Sequence, residues 1–415
     1  MMKRLRVCFI LIVLNGFGFI HINAQGFQYF ERNIAENKSV FGFNLNQRFE
    51  TNSLTSGFVL DFVNGKFISN EQKDKCIANF KDNEIIAGEQ FNLSLSYQRR
   101  FGNSTNYLYL ETGETFFYET KLHQDIFILL FKGNKSFENK IASLNPLKIR
   151  SLQYFYLKAG LLRMTEKYSL KFNVGFIGGQ RFLDLKTQRG ELFTATDGRS
   201  IDLNLELTSN DAVGINNSFL NFLGTGILTD LAFSYNLSTN TQIGAGLEGY
   251  GFINWNKEVT ERVVDTMYHF DGAEISNVLD SFSIAIKNVE ELKSSFIRER
   301  ENVSYKTNLP FIAYLKLSQF VIPEILQVQL KYGIIKSEFA KPFFNSSVNL
   351  YFSSTKLIGL NIDGGGYGSW NVGAQFAVCF SNKSSIHLYF NSISNLIKPS
   401  REFNLTGGMI YRKTF

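Results

Sequence analysis

Residues 401–415 read "REFNLTGGMIYRKTF". Taken with a period of two, one face carries Phe403, Leu405, Gly407, Met409, Tyr411, Lys413 and Phe415. The other carries Glu402, Asn404, Thr406, Gly408, Ile410, Arg412 and Thr414. Successive side chains of a strand point to opposite sides of its sheet, so this segment has one apolar and one polar face. The same alternation recurs upstream. In "FNLSLSYQ", Phe91, Leu93, Leu95 and Tyr97 oppose Asn92, Ser94, Ser96 and Gln98. In "LKFNVGF", Leu170, Phe172, Val174 and Phe176 oppose Lys171, Asn173 and Gly175. "IDLNLEL" (201–207) and "WNVGAQFAVCF" (370–380) repeat it.

Two architectures use such strands. A soluble sandwich buries the apolar face between sheets, whereas a transmembrane barrel turns it into lipid and keeps the polar face inside. Strand length favours the barrel. "FNLSLSYQRRF" and "WNVGAQFAVCF" are long enough to cross a bilayer at the usual tilt. Composition agrees: 42 Phe and 18 Tyr against five Pro in 415 residues suit long strands with few interruptions. The expected fold is all-β, a single antiparallel outer-membrane β-barrel on the order of 14 strands, with one amphipathic helical insertion.

The N-terminus indicates export. Lys3, Arg4 and Arg6 precede the apolar run "VCFILIVLNGFGFI" (7–20) and small Ala24, the layout of a cleaved signal peptide over residues 1–24. Residues 25–415 then form the barrel domain. Without those three cations 40 basic residues face 37 acidic ones, a balance with no nucleic-acid footprint. The expected partners are outer-membrane lipid and the assembly machinery that reads a terminal aromatic strand such as the one ending in Phe415. Of the cysteines, Cys76 and Cys379 remain, and their pairing is open.

Two stretches depart from the β pattern. Residues 274–301 place Ile275, Val278, Leu279, Phe282, Ile286, Val289, Leu292 and Phe296 at spacings of three and four, an amphipathic helix that packs on the barrel, plugs it, or docks a secreted or surface partner. Residues 123–140 contain a short apolar helix stopping at Gly133-Asn134, as a glycine cap would. Both are expected to cap one end of the barrel or enter it. Trp255 in "GFINWNK", Tyr411 and Phe415 are expected at the membrane interface, with Tyr107, Tyr109, Tyr351 and Tyr389 as further girdle aromatics.

The succession "FKGNKSF", "GFINWNK", "FDG" (270–272) and "LP" (309–310), in this order along the chain, resembles a family of outer-membrane barrels from Bacteroidota known only as a domain of unknown function. The resemblance implies place and fold, and no catalytic or ligand residues. The segment "GFQYFERNIAENKSVFGF" lacks the Asn-Pro-rich opening of barrels that hold type IX secretion substrates.

Chemistry-bearing motifs are scarce. His123, His269 and His387 are isolated, without metal-ligand spacing. "IDGGGYG" (362–368) lacks the Lys-Ser/Thr of a phosphate loop and reads as a hairpin turn. Neither cofactor, metal nor enzymatic activity is expected. The leading expectation is porin- or transporter-like passage of a small solute. Anchoring of a surface or secreted partner, in a type IX-like role, is the alternative, and a rim-sited lipid hydrolase a distant third.

Overall fold

The computed structural model describes residues 39–213, 221–271, 296–381, 383–397 and 402–415. The chain opens with β1 (Ser39–Thr55), followed by helices α1 (Ser56–Val63) and α2 (Asn70–Ala78). It returns as β2 (Glu84–Arg100) and β3 (Asn106–His123), then forms α3 (Gln124–Lys132) and the short β4 (Lys140–Ser143). Next come β5 (Leu147–Met164), β6 (Tyr168–Thr194), β7 (Ile201–Val213), β8 (Gly224–Asn236) and β9 (Thr241–Trp255). After β10 (Val259–Phe270), β11 (Ile297–Glu301) and β12 (Tyr305–Asn308), a meander of hairpins begins. It comprises β13 (Phe311–Ile322), β14 (Leu326–Lys336), β15 (Lys341–Ser353), β16 (Lys356–Gly366), β17 (Asn371–Ser381) and β18 (Ser384–Phe390). Helix α4 (Ile393–Ile397) leads into β19 (Glu402–Thr414).

The last strand closes on the first. Val40 pairs with Thr414, Phe43 with Tyr411 and Phe49 with Leu405, all antiparallel. The closed wall has fourteen staves: β1, β2, β3, β5, β6, β8, β9 and then β13 to β19 in order. Closure leaves no unpaired edge, the condition under which strands can face hydrocarbon.

β6 outgrows the wall. Its first half (Tyr168 to Gly179) pairs with β8 inside the barrel, and its second half, from Arg181, pairs with β7. β10 joins β7, β11 joins β10, and β4 joins the far end of β6. These strands form a flap above one rim. The alternating "IDLNLEL" therefore belongs to the flap and not to the barrel wall. Its alternation is real, but its partners are the projecting part of β6 and β10.

The two rims differ. At the rim holding Ser39 and Phe415, staves are joined by turns of two to five residues. The helices, β4 and the flap lie at the opposite, loop rim. The wall is two-sided in chemistry. Leu170, Phe172, Val174 and Phe176 point outward and are between 40% and 49% exposed, while Asn173 between them points inward and is fully buried. Leu315, Leu330, Leu360 and Phe376 extend the exposed apolar band around the meander. A band of this extent in water would drive association, whereas in hydrocarbon it carries no such cost.

Residues 272–295 lie outside the described residues, and with them Ile275, Val278, Leu279, Phe282, Ile286, Val289 and Leu292; residues 1–38, where the signal peptide was expected, lie outside them too. The end of the expected helix is corrected. Residues 297–301 ("IRERE") form β11, where Arg300 pairs with Glu261, and Glu299 with Arg262 at 2.9 Å. The segment itself alternates with a period of two, and cross-strand ion pairs on β10 select that reading. Phe296, just before it, packs edge-on against Tyr268.

α3 is also repositioned. It ends, as expected, at Gly133 (φ 82°), but neither enters nor caps the lumen. With α1 and α2 it packs on the outer wall at the loop rim. There Phe58, Val59, Cys76 and Phe127 are buried against the outward faces of Phe49, Ile85, Ala87 and Phe403. Cys76 and Cys379 are both free thiols.

Candidate functional site

The lumen holds a cavity of about 1140 Å3. It runs from the turn rim, where Thr165, Ser238 and Pro323 line it, to the level of Arg48, Gln90 and Tyr314. Its wall is built from the polar faces of the staves. Asn92, Ser94 and Ser96 come from β2, Tyr107, Tyr109 and Glu111 from β3, and Tyr154, Tyr156 and Lys158 from β5.

An ionic cluster occupies one side. The Lys158 ammonium lies 3.2 Å from Glu111 on the neighbouring β3 and 3.0 Å from Asp230 on β8, one stave beyond β6. Tyr156 donates its hydroxyl to Glu111 at 3.0 Å, and Tyr109 donates to the same carboxylate. Asp230 also accepts the Asn173 amide at 3.3 Å and the Gly249 backbone N–H at 2.8 Å. A lysine between two carboxylates leaves the site acidic by one charge, and the hydroxyls spread that charge. Opposite, Tyr314 donates to Glu248 at 3.0 Å. Two further lysines lie flat over tyrosine rings: Lys171 3.8 Å from the Tyr109 centroid, and Lys331 3.9 Å from that of Tyr314. Among the described residues neither lysine forms an ion pair, so each ammonium rests chiefly on a ring face.

Towards the loop rim the lumen is filled. On one side Phe117, Leu152, Ile177, Phe182, Ile253, Trp255 and Leu309 form a buried cluster. Trp255 fits because Gly179 and Gly224 leave space: a Cβ on either would lie 2.6–2.8 Å from its ring. Its indole N–H donates to Thr307 at 2.8 Å, and its ring meets Phe182 at 4.6 Å. On the other side the seal is polar. The fully buried Glu119 accepts the Tyr367 hydroxyl at 3.1 Å and the backbone N–H groups of Glu338 and Phe339 at 3.3 and 3.4 Å. Glu50 pairs with Arg48 at 2.8 Å and accepts the Tyr367 N–H at 3.1 Å. Two wall carboxylates thus draw the connections 337–340 and 367–370 into the barrel mouth. Tyr367 lies against Gly88, where a Cβ would meet its ring at 2.2 Å.

Several expected interface residues move. Trp255 is not at the membrane rim but fully buried inside the barrel. The cause is a bulge. Gly249 (φ 78°) shifts the register of β9 against β8, so Glu248 and Trp255 both face inward although their numbers differ in parity. Tyr107, Tyr109, Tyr351 and Tyr389 are likewise buried on the inner face, with Leu108 and Leu110 alternating outward. Tyr411 does lie on the outward face of β19, and Phe415 is 61% exposed at the turn rim with the Lys413 ammonium 5.3 Å from its ring centroid. The three histidines are not brought together: His123 caps α3, His269 pairs with Asp202 on the flap, and His387 bonds Gln375 inside the barrel.

The ionic cluster had a signal in the sequence. "YLYLE" (107–111) and "YFYLK" (154–158) share the pattern Tyr-x-Tyr-x-charge. The staves that carry them are neighbours, with Glu111 and Lys158 directly opposite.

A family of unknown function, DUF5723, matches residues 33–390. The chain belongs to that family. No curated protein matches the sequence. Among solved structures, this DUF5723 chain is similar to the Ralstonia pickettii toluene transporter TbuX, with 9% identity over 91% of this chain and 90% of that one, at a TM-score of 0.46. It is similar also to the Pseudomonas putida toluene transporter TodX (10% identity, 96% and 95% covered, TM-score 0.45). A third is a Pseudomonas aeruginosa FadL homologue (8% identity, 90% and 89% covered, TM-score 0.42). At such identity and score neither a cargo nor a site is carried from those proteins to this one.

Proposed function

We propose that this protein is an outer-membrane barrel through which a small polar solute passes, with the lumenal cavity as its binding chamber. The observation that carries the reading is the cavity itself: a space of about 1140 Å3, lined by Asn, Ser, Tyr, Lys and carboxylate side chains, inside a closed wall whose outside is apolar. Short turns at one rim and long connections at the other correspond to periplasmic and external sides in barrels of this kind, which puts the chamber's mouth towards the periplasm. Lys171, without a carboxylate partner among the described residues, favours solutes bearing a carboxylate or phosphate, and the tyrosine rings and amides suit a hydroxyl-rich or planar body.

Passage requires the loop-rim seal to open. The aromatic half is rigidly packed, so the polar half at Glu119, Glu50 and Tyr367 is the part that moves. Single-channel recording in planar bilayers tests this. The native protein is expected to conduct rarely. Tyr367→Ala, which removes the hydroxyl bond to Glu119 and the ring over Gly88, is expected to raise the open time at least about tenfold, the loss of one charge-assisted hydrogen bond and its packing. If Tyr367→Ala and a Glu119→Ala/Tyr367→Ala double variant both fold, keep their heat-modifiable mobility and remain silent, and vesicles holding them take up no small solute, the passage reading is wrong.

A further inference from the structure

The outward face of the wall changes character along β1. Phe43 and Leu45 occupy the part nearer the turn rim, but beyond them the outward positions Gln47, Phe49 and Thr51 are each 5% exposed or less, and Ser53 and Thr55 at the end of the strand are buried as well. On β2 the outward Glu89, 3% exposed, accepts the Gln47 amide at 3.0 Å. Polar groups like these cannot be presented to hydrocarbon without a large desolvation cost. This sector of the wall is instead where α1, α2 and α3 pack, through Phe58, Val59, Cys76 and Phe127. Aromatic contacts knit α1 to α3: Phe58 meets Phe131 at 5.0 Å and Phe127 at 5.3 Å.

The far side of this helical collar is not uniformly wet. α1 exposes Leu60 (46%), the connection after it exposes Phe67 (87%), and α3 exposes Leu130 (61%). α2 differs. It exposes no large apolar side chain, carries the Glu71–Lys75 ion pair at 2.8 Å, and ties to α3 through Asp74 and Lys132. One part of the collar is apolar outward and the other is charged outward, the division expected of helices lying in a membrane interface.

We infer that the collar is a lipid-contacting surface, with Leu60, Phe67 and Leu130 seated among acyl chains just below the headgroups and α2 turned to water. The inference rests on the reading of the barrel as membrane-spanning. What selects lipid over a protein partner is continuity: the collar sits on the outer wall, level with the end of the exposed apolar band, and takes over the lipid-facing role where the wall beneath turns polar. The flap, which projects beyond the rim, carries cross-strand ion pairs such as Arg189–Asp265 and Arg262–Glu299 alongside its exposed Met267 and Phe270. The collar would also fix how deeply the loop rim sits in the membrane.

Tryptophan quenching by brominated phosphatidylcholine tests the inference in the full-length protein reconstituted into vesicles. Trp255→Phe and Trp370→Phe provide the background, and Phe67→Trp, Leu130→Trp, Leu315→Trp and Lys75→Trp are the reporters. Leu315, 65% exposed on β13, reports the barrel wall. The expected result is about twofold quenching at positions 67, 130 and 315, with position 75 unquenched by lipid and accessible to aqueous acrylamide. Quenching at 315 without quenching at 67 or 130 would overturn the collar and leave the barrel in lipid. Absence of quenching at 315 would remove the membrane reading itself, and the collar with it. Should the background fold poorly, the same reporters, read as differences against the parent with both native tryptophans, separate the same outcomes.

Discussion

Lys158 shows how much of this lumen depends on single side chains. It is 12% exposed and sits between Glu111 and Asp230, themselves 12% and 9% exposed. Lys158→Met leaves two carboxylates facing each other in a poorly solvated pocket. Breaking such a pair costs about 3 kcal/mol, and denaturant unfolding from lipid vesicles measures it. Lys171→Met is the informative contrast. That lysine has a ring for a partner and no carboxylate among the described residues, so stability falls by only about 0.5 kcal/mol, while uptake of an anionic solute drops relative to a neutral one. Equal effects of the two substitutions would contradict the division between a structural and a solute-facing lysine. The face of Lys171 was legible in the alternation of "LKFNVGF", whereas Tyr107 and Tyr109 beside it were expected at the membrane girdle and face the lumen. The convergence of the ionic cluster was not legible, because Asp230 and Lys158 lie on different staves, separated by β6, and Lys158 reaches across it over Gly175, where a Cβ would lie 2.8 Å from the lysine side chain, to within 3.0 Å of Asp230.

At the scale of elements, bulges decide what the period of two cannot. β9 reads as one alternating strand, yet Gly249 takes a left-handed conformation, and the residues after it exchange faces. Trp255 consequently enters the barrel, into a slot left by Gly179 and Gly224. Gly249→Val places a β-branched residue at φ 78°, costing about 1–2 kcal/mol, and loosens Trp255 as well. A red-shifted tryptophan emission component and a lower unfolding midpoint are the expected readouts, and an unchanged midpoint would show that β9 tolerates a regular register there. The end of the expected long helix failed for a related reason. "IRERE" suits a helix by spacing from its apolar neighbours, but Arg300 and Glu299 find Glu261 and Arg262 across a strand pair. Pairing with a distant element outweighed the local pattern.

For the whole molecule, closure is the governing fact. β1 and β19 join the two ends of the described chain, Phe415 donating its backbone N–H to Ser39 at 3.0 Å. The Phe415 side chain is 61% exposed at that seam, so Phe415→Ala is expected to change the stability of the folded barrel by no more than about 0.5 kcal/mol. Its amount in outer-membrane fractions of cells, by contrast, should fall several-fold if the side chain serves assembly. A large stability loss in vitro would assign it a packing role instead.

The sequence alone determined that this chain makes long two-faced strands and that one of the two faces is apolar. Those properties follow from side-chain alternation and segment length, which are local and survive any arrangement of the strands. Only the tertiary structure decided which tyrosines face inward, that β7 and β10 leave the wall as a flap, that α1, α2 and α3 lie outside, and that the lumen is filled at the loop rim. Each of these depends on a bulge, on pairing across many residues, or on space left by glycines on neighbouring staves. None of them is written in the spacing of residues along one strand.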